Sequence, residues 1–135
     1  MVMKGKEGDR MDRKIIESNY NLAFQIKEAL HSNEEVKNSC KENPSGELSF
    51  FIRDGQLQIL SFRESKSLIL DDENRCGMKD ESFSWFVSMF SNYIKRHSEH
   101  LYHLKIVLNY RMDENGVSFR DLNRDFIHEH HYKRR

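Results

Sequence analysis

The chain has 135 residues, with 22 Lys and Arg against 22 Asp and Glu, and 37% hydrophobic against 33% charged side chains. A formal net charge of zero removes any global field that would draw it to nucleic acid or an anionic membrane, and the length bounds it to one domain with one modest core. Aromatics at 11% argue against disorder and leave much of that core to rings.

Residues 1–9 mix Lys, Gly, Glu and Asp and read as a frayed start. From Met11 the spacing predicts a helix with a wide apolar stripe of Ile15, Ile16, Tyr20, Leu22, Ala23, Ile26, Ala29 and Leu30, with Phe24 on its margin. Ser32-Asn33-Glu34-Glu35 has the form of a capping box, so a break near His31 and a second short helix carrying Val36 and Cys40 are expected. Asn43-Pro44-Ser45-Gly46 ends it.

Two alternating runs, Glu47–Arg53 and Gln56–Phe62, flank Asp54-Gly55, the pair favoured in a tight primed turn. A two-residue loop sets Ile52 opposite Leu57 and Phe50 opposite Ile59, so both apolar sets fall on one face. Lys66–Leu70 reads as a short third strand before an acidic loop of Asp71, Asp72 and Glu73.

The strongest helical signal runs from Asp80 to His97, with Phe83, Phe86, Val87, Phe90 and Ile94 on one face. Asp80 or Ser82 is placed to cap its start, and Lys95, Arg96 and His97 suit the negative end of its dipole. Trp85, Met89 and Tyr93 form a second row, also four apart, beside the first, which reads either as a second core face of a sandwiched helix or as an exposed partner surface. After His100 the period becomes two: Tyr102, Leu104, Ile106, Leu108, Tyr110 and Met112 point one way. Asp113-Glu114-Asn115-Gly116 as a four-residue loop sets Met112 opposite Val117 and Tyr110 opposite Phe119, while Asn115-Gly116 alone as a two-residue turn shifts the register by two and leaves the same face inward. Asp121–Tyr132 reads as a terminal helix burying Leu122 and Phe126, or else as a loose tail, with 132–135 frayed.

Hairpins with one apolar face need helices over that face. The expected fold is therefore α+β: a single antiparallel sheet of four or five strands packed against the first and central helices. One domain spans residues 1–135. No apolar run reaches the length of a membrane span and no secretory signal follows the first Met, so the expected address is cytoplasmic, with Cys40 and Cys76 as free thiols.

Candidate chemistry is sparse. His97, His100 and His103 lie close in sequence, as do His128, His130 and His131, yet neither group has metalloprotease spacing, and His100 and His103 would face opposite ways on a strand. Cys76, in Arg75-Cys76-Gly77, has a cation beside it but no assigned base. The acidic loops suit turns rather than the buried sites that raise a carboxyl pKa. Nucleotide and acyl-transfer signatures are absent. Expected metals, cofactors and catalytic residues are therefore none.

For nucleic acid, Lys133-Arg134-Arg135 with Tyr132 and Arg124, plus Lys105 and Arg111 on the polar strand face, give a thin basic surface. In element order alone the chain resembles bacterial toxin-neutralising immunity proteins and phage inhibitors of host proteins. That resemblance implies a non-enzymatic inhibitor or immunity-type factor acting through a protein interface. The expected contact residues are Trp85, Met89, Tyr93, Asp71, Asp72 and Glu73, along with the strand edge at Gly116–Arg120, and a homodimer is compatible with them. A small nucleic-acid-binding protein and a metal- or thiol-dependent enzyme are the competing readings.

Overall fold

A computed structural model describes residues 2–64, 76–130 and 132, with 2–12 and Arg120 described in backbone alone. Helix α1 spans Val2–Ser32 and α2 Glu34–Glu42; strands β1 (Ser45–Arg53) and β2 (Gln56–Glu64) follow. Helix α3 (Asp80–Lys95) then leads to β3 (Leu104–Asp113) and β4 (Gly116–Phe126). The described strands form one antiparallel sheet in the order β2-β1-β3-β4, which is the α+β arrangement expected of the sequence. Among the described residues no helix is long and apolar enough to cross a membrane.

The core lies between the helices and one face of the sheet. Leu48, Phe50 and Ile52 of β1 and Leu104, Ile106, Leu108, Tyr110 and Met112 of β3 meet Leu22, Ile26 and Leu30 of α1 and Phe83, Phe86, Phe90 and Ile94 of α3. Phe50 packs edge-on against Phe90 with ring centroids 4.8 Å apart. Cys40 and Val36 of α2 close one end. The opposite sheet face is mostly polar, with Glu47 and Arg63 paired on it, but also carries Phe51, Ile59 and Val107.

Several local features differ from the sequence reading. Helix α1 begins at Val2 rather than near Met11, which places Asp9 and Asp12 inside it. The break falls where expected, but the cap is Asn33, not Ser32: its side chain accepts from the Val36 amide at 3.1 Å. Helix α3 starts from Lys79 without a side-chain cap, because Asp80 lies in the first turn, paired with Lys41 of α2. That ammonium holds the Asp80 carboxyl below its usual range.

The first hairpin has its expected turn, with φ of 55° at Asp54 and 71° at Gly55. Its register is as expected at Ile52 opposite Leu57, but a bulge then sets Phe51 opposite Ile59 and Phe50 opposite Leu60. The extra residue, Gln58, turns Leu60 and Phe62 toward the helices and leaves Ile59 58% exposed.

In the second hairpin Met112 faces Val117 and Tyr110 faces Phe119, the register of the four-residue loop. The terminal helix does not form; β4 runs to Phe126, with Leu122 opposite Leu108 and Phe126 opposite Leu104. Leu122 and Phe126 fit a helical spacing of four, but they also fit a strand period of two. Pairing with β3 gives their backbone groups partners that an isolated short helix would lack at its ends. Lys66–Leu70 lies outside the described residues.

Candidate functional site

Helix α3 turns its core row toward the sheet, so its two flanks meet different surroundings. One flank packs on α1; the other, carrying Trp85, Met89 and Tyr93, lies along β4 at the edge of the described sheet. Trp85 stacks on Phe119 of β4 with centroids 6.2 Å apart and planes 23° from parallel, and still leaves 52% of its surface exposed. Met89 and Tyr93 are partly covered, Tyr93 by Phe90 and by the edge of the His97 ring. Trp85 is therefore the exposed member of the row, with Met89 and Tyr93 half-buried and Tyr93 packed against the core. Asp71, Asp72 and Glu73 lie outside the described residues.

The segment leaving α3 is strapped down by α1. Asn19, fully buried, donates to the carbonyls of His97 (3.1 Å) and Glu99 (3.0 Å) and accepts from the Leu101 amide (3.3 Å). Ser18 Oγ lies 3.0 Å from His100 Nε2, and the Gly55 amide donates to Tyr102 O at 2.9 Å. A carboxylate on the turn, Asp54, accepts from the Tyr102 hydroxyl and raises its pKa. His97 and Glu99 meet Arg124 of β4.

Ser18 and His100 have the spacing of a nucleophile and its base. Ser18 sits inside helix α1, however, where neighbouring amides bond within the helix and cannot serve a developing oxyanion. The contact fixes the loop.

The histidines are dispersed among other tasks. His97 meets Arg124, His100 meets Ser18, and His103 lies 3.2 Å from Glu129. No group of three His, Cys, Asp or Glu among the described residues is placed to hold a metal. Cys76 is exposed before the start of α3, while His97, His100 and His103 follow its end, about 24 Å away along 16 residues of helix. Cys40 is buried; desolvation pushes its thiol up to about 12, against a hydrogen bond from Tyr110 that lowers it. A thiol so placed is no nucleophile near neutral pH.

A second apolar row is missed by the sequence reading. Ile16 and Tyr20 of the expected apolar stripe and Phe24 of its margin are 46%, 52% and 62% exposed. They recur every four residues along α1, as Leu22, Ile26 and Leu30 do, so spacing alone does not separate the exposed row from the buried one. On one side of this row a cleft of about 410 Å³ is lined by Ile15, Ile16, Tyr20, Lys95, Arg96 and His97. The Lys95 ammonium lies 5.6 Å from the centre of the Tyr20 ring. On the other side Phe24 borders a wider opening with Gln25 and the Asp54-Gly55 turn.

No family profile, curated protein or solved structure matches this chain.

Proposed function

We propose that this protein has no catalytic role and works by binding another protein, in the manner of an inhibitor or immunity-type factor. One observation supports this reading: large apolar side chains stand at the surface of two helices, Ile16, Tyr20 and Phe24 in a row on α1 and Trp85 on α3, with Met89 and Tyr93 half-buried beside it. Single exposed apolar residues are ordinary, but rows of them on rigid helices resemble the aromatic and methionine-rich centres of interfaces.

The α1 row has the further feature of a basic rim. Lys95 and Arg96 border Ile16 and Tyr20, so a complementary surface would place apolar groups on the helix and carboxylates at its edge. Such a partner would gain on-rate from the charges and residence time from the buried rings.

Native-lysate capture with wild-type, Tyr20→Ser/Phe24→Ser and Trp85→Ala proteins tests the reading. The α1 double variant should lose a protein that the wild type retains, while keeping its thermal midpoint within a few degrees. Capture that is indifferent to both variants would remove the support.

A further inference from the structure

We propose that the outer edge of β4 and the open flank of α3 join a second copy of this chain, so that two sheets continue into one across a two-fold axis. The inference goes beyond the binding role above. It assigns an occupant to one row and leaves the α1 row for other partners.

The Ile127 amide donates to His103 O at 3.0 Å, and antiparallel pairing alternates direction along a strand. Asp121, Asn123 and Asp125 therefore point their amides at β3, whereas Leu122, Arg124 and Phe126 point theirs outward. No described residue pairs with that outer side. An extended backbone is the natural complement of such an edge.

The sequence of β4 then selects the pairing. Leu122, Arg124 and Phe126 lie on the helix face of the sheet, and Asp121, Asn123 and Asp125 lie on the open face. Directly opposed residues share a face, so a two-fold axis must pass through a residue position rather than between two. Centring on Asp121 or Asp125 sets that carboxylate against itself, and centring on Arg124 sets two guanidinium groups together. Centring on Asn123 opposes Asp121 to Asp125. Only Leu122, at the middle, avoids every like-charge pair within Asp121–Asp125.

In that register Leu122 faces its counterpart, Asp121 faces Asn123 of the partner subunit, and the outward amide and carbonyl of Leu122 close a central pair of hydrogen bonds. Arg120 is an extra residue in β4, since Asn109 faces Asp121 and Tyr110 faces Phe119; with it skipped, Asp125 meets Ser118 of the partner subunit and Phe126 meets Val117 of the partner subunit. Both copies then carry their helices on the same side. The Trp85-Met89-Tyr93 flanks, each lying along its own β4, face one another across the axis.

The test uses the purified full chain with Cys76→Ser. Sedimentation equilibrium should give twice the 16.2 kDa chain mass at concentrations up to about 0.1 mM. Asn123→Asp places a second carboxylate opposite Asp121 twice per dimer and should weaken association about tenfold; Asn123→Lys should strengthen it about tenfold, and salt should shrink both effects. Mixing Asp121→Cys and Asn123→Cys chains under oxidation should give a crosslinked pair, because these positions face each other in the close, non-hydrogen-bonded arrangement.

A chain that stays single, or a dimer indifferent to the two Asn123 substitutions, or the absence of the mixed crosslink, overturns the proposal. Protection of the Leu122 and Arg124 amides only on adding a different protein would assign the edge elsewhere and also overturn it. These measurements involve no lysate partner, so their failure is separate from failure of the α1 row in capture.

Discussion

Asn19 carries more of this structure than its size suggests. A side chain that is fully buried satisfies three backbone groups of the α3–β3 segment at once, and Ala in its place leaves them without partners. The Asn19→Ala variant should lose about 2–3 kcal/mol in urea unfolding, with Ser18→Ala, whose contact with His100 is exposed, losing under about 0.5 kcal/mol. Ser91 presents the converse. Its hydroxyl is buried with no hydrogen-bond partner among the described residues, so Ser91→Ala should raise stability by about 0.5–1 kcal/mol. A loss there would mean that the hydroxyl is bonded.

Cys40 and Tyr110 give the core an alkaline limit. Both are acids whose folded pKa lies above the unfolded one, through burial first, and Tyr110 also donates to the carbonyl of Asn43 at 2.9 Å. Below the unfolded value both states are neutral and the stability is intact. As pH climbs from 9.0 toward about 12 the unfolded chain ionises first at Cys40, and stability falls. A Cys40→Ala variant should show a shallower decline in the urea midpoint over that interval, and an unchanged slope would contradict the assignment.

At the level of elements, legibility followed how many independent signals marked a feature. Asp54-Gly55 reads directly, since the turn needs positive φ at both residues and the sequence supplies a pair that tolerates it. Tyr110 opposite Phe119 is one of the two registers that the turn residues allow, and the pairing of Asp113 with Gly116 selects it. The bulge at Gln58 has no such mark: no glycine or proline announces it, and both registers put apolar residues inward, Leu57 and Ile59 in one, Leu57, Leu60 and Phe62 in the other. Packing under α1 decides between them.

The choice can be measured. Leu60→Ala should cost about 1–3 kcal/mol and Ile59→Ser under about 0.5 kcal/mol, the reverse of what an unbulged hairpin requires. The last strand is ambiguous in sequence for a related reason. Residues 121–126 satisfy two periods, and only the presence of β3 alongside selects the strand.

For the whole molecule, the sequence disclosed that α3 has more apolar residues than one face can use, and the structure leaves that surplus row at the edge of β4. It did not disclose which part of α1's wide stripe remains uncovered, because that depends on how much of the circumference α3 and β2 take up. Ile16 and Tyr20 fall just past that limit, and Phe24 beyond them. Surface aromatics held on helices, rather than side chains converging in a cleft, are the working part in this account.

Site-specific photo-crosslinking in cells tests this most directly, with a benzophenone side chain placed at Tyr20, Trp85 or, as an exposed control on α2, Glu35. The account predicts a discrete adduct with a different protein from position 20, a two-chain adduct from position 85, and neither from position 35. Equal or absent adducts at all three positions would contradict it.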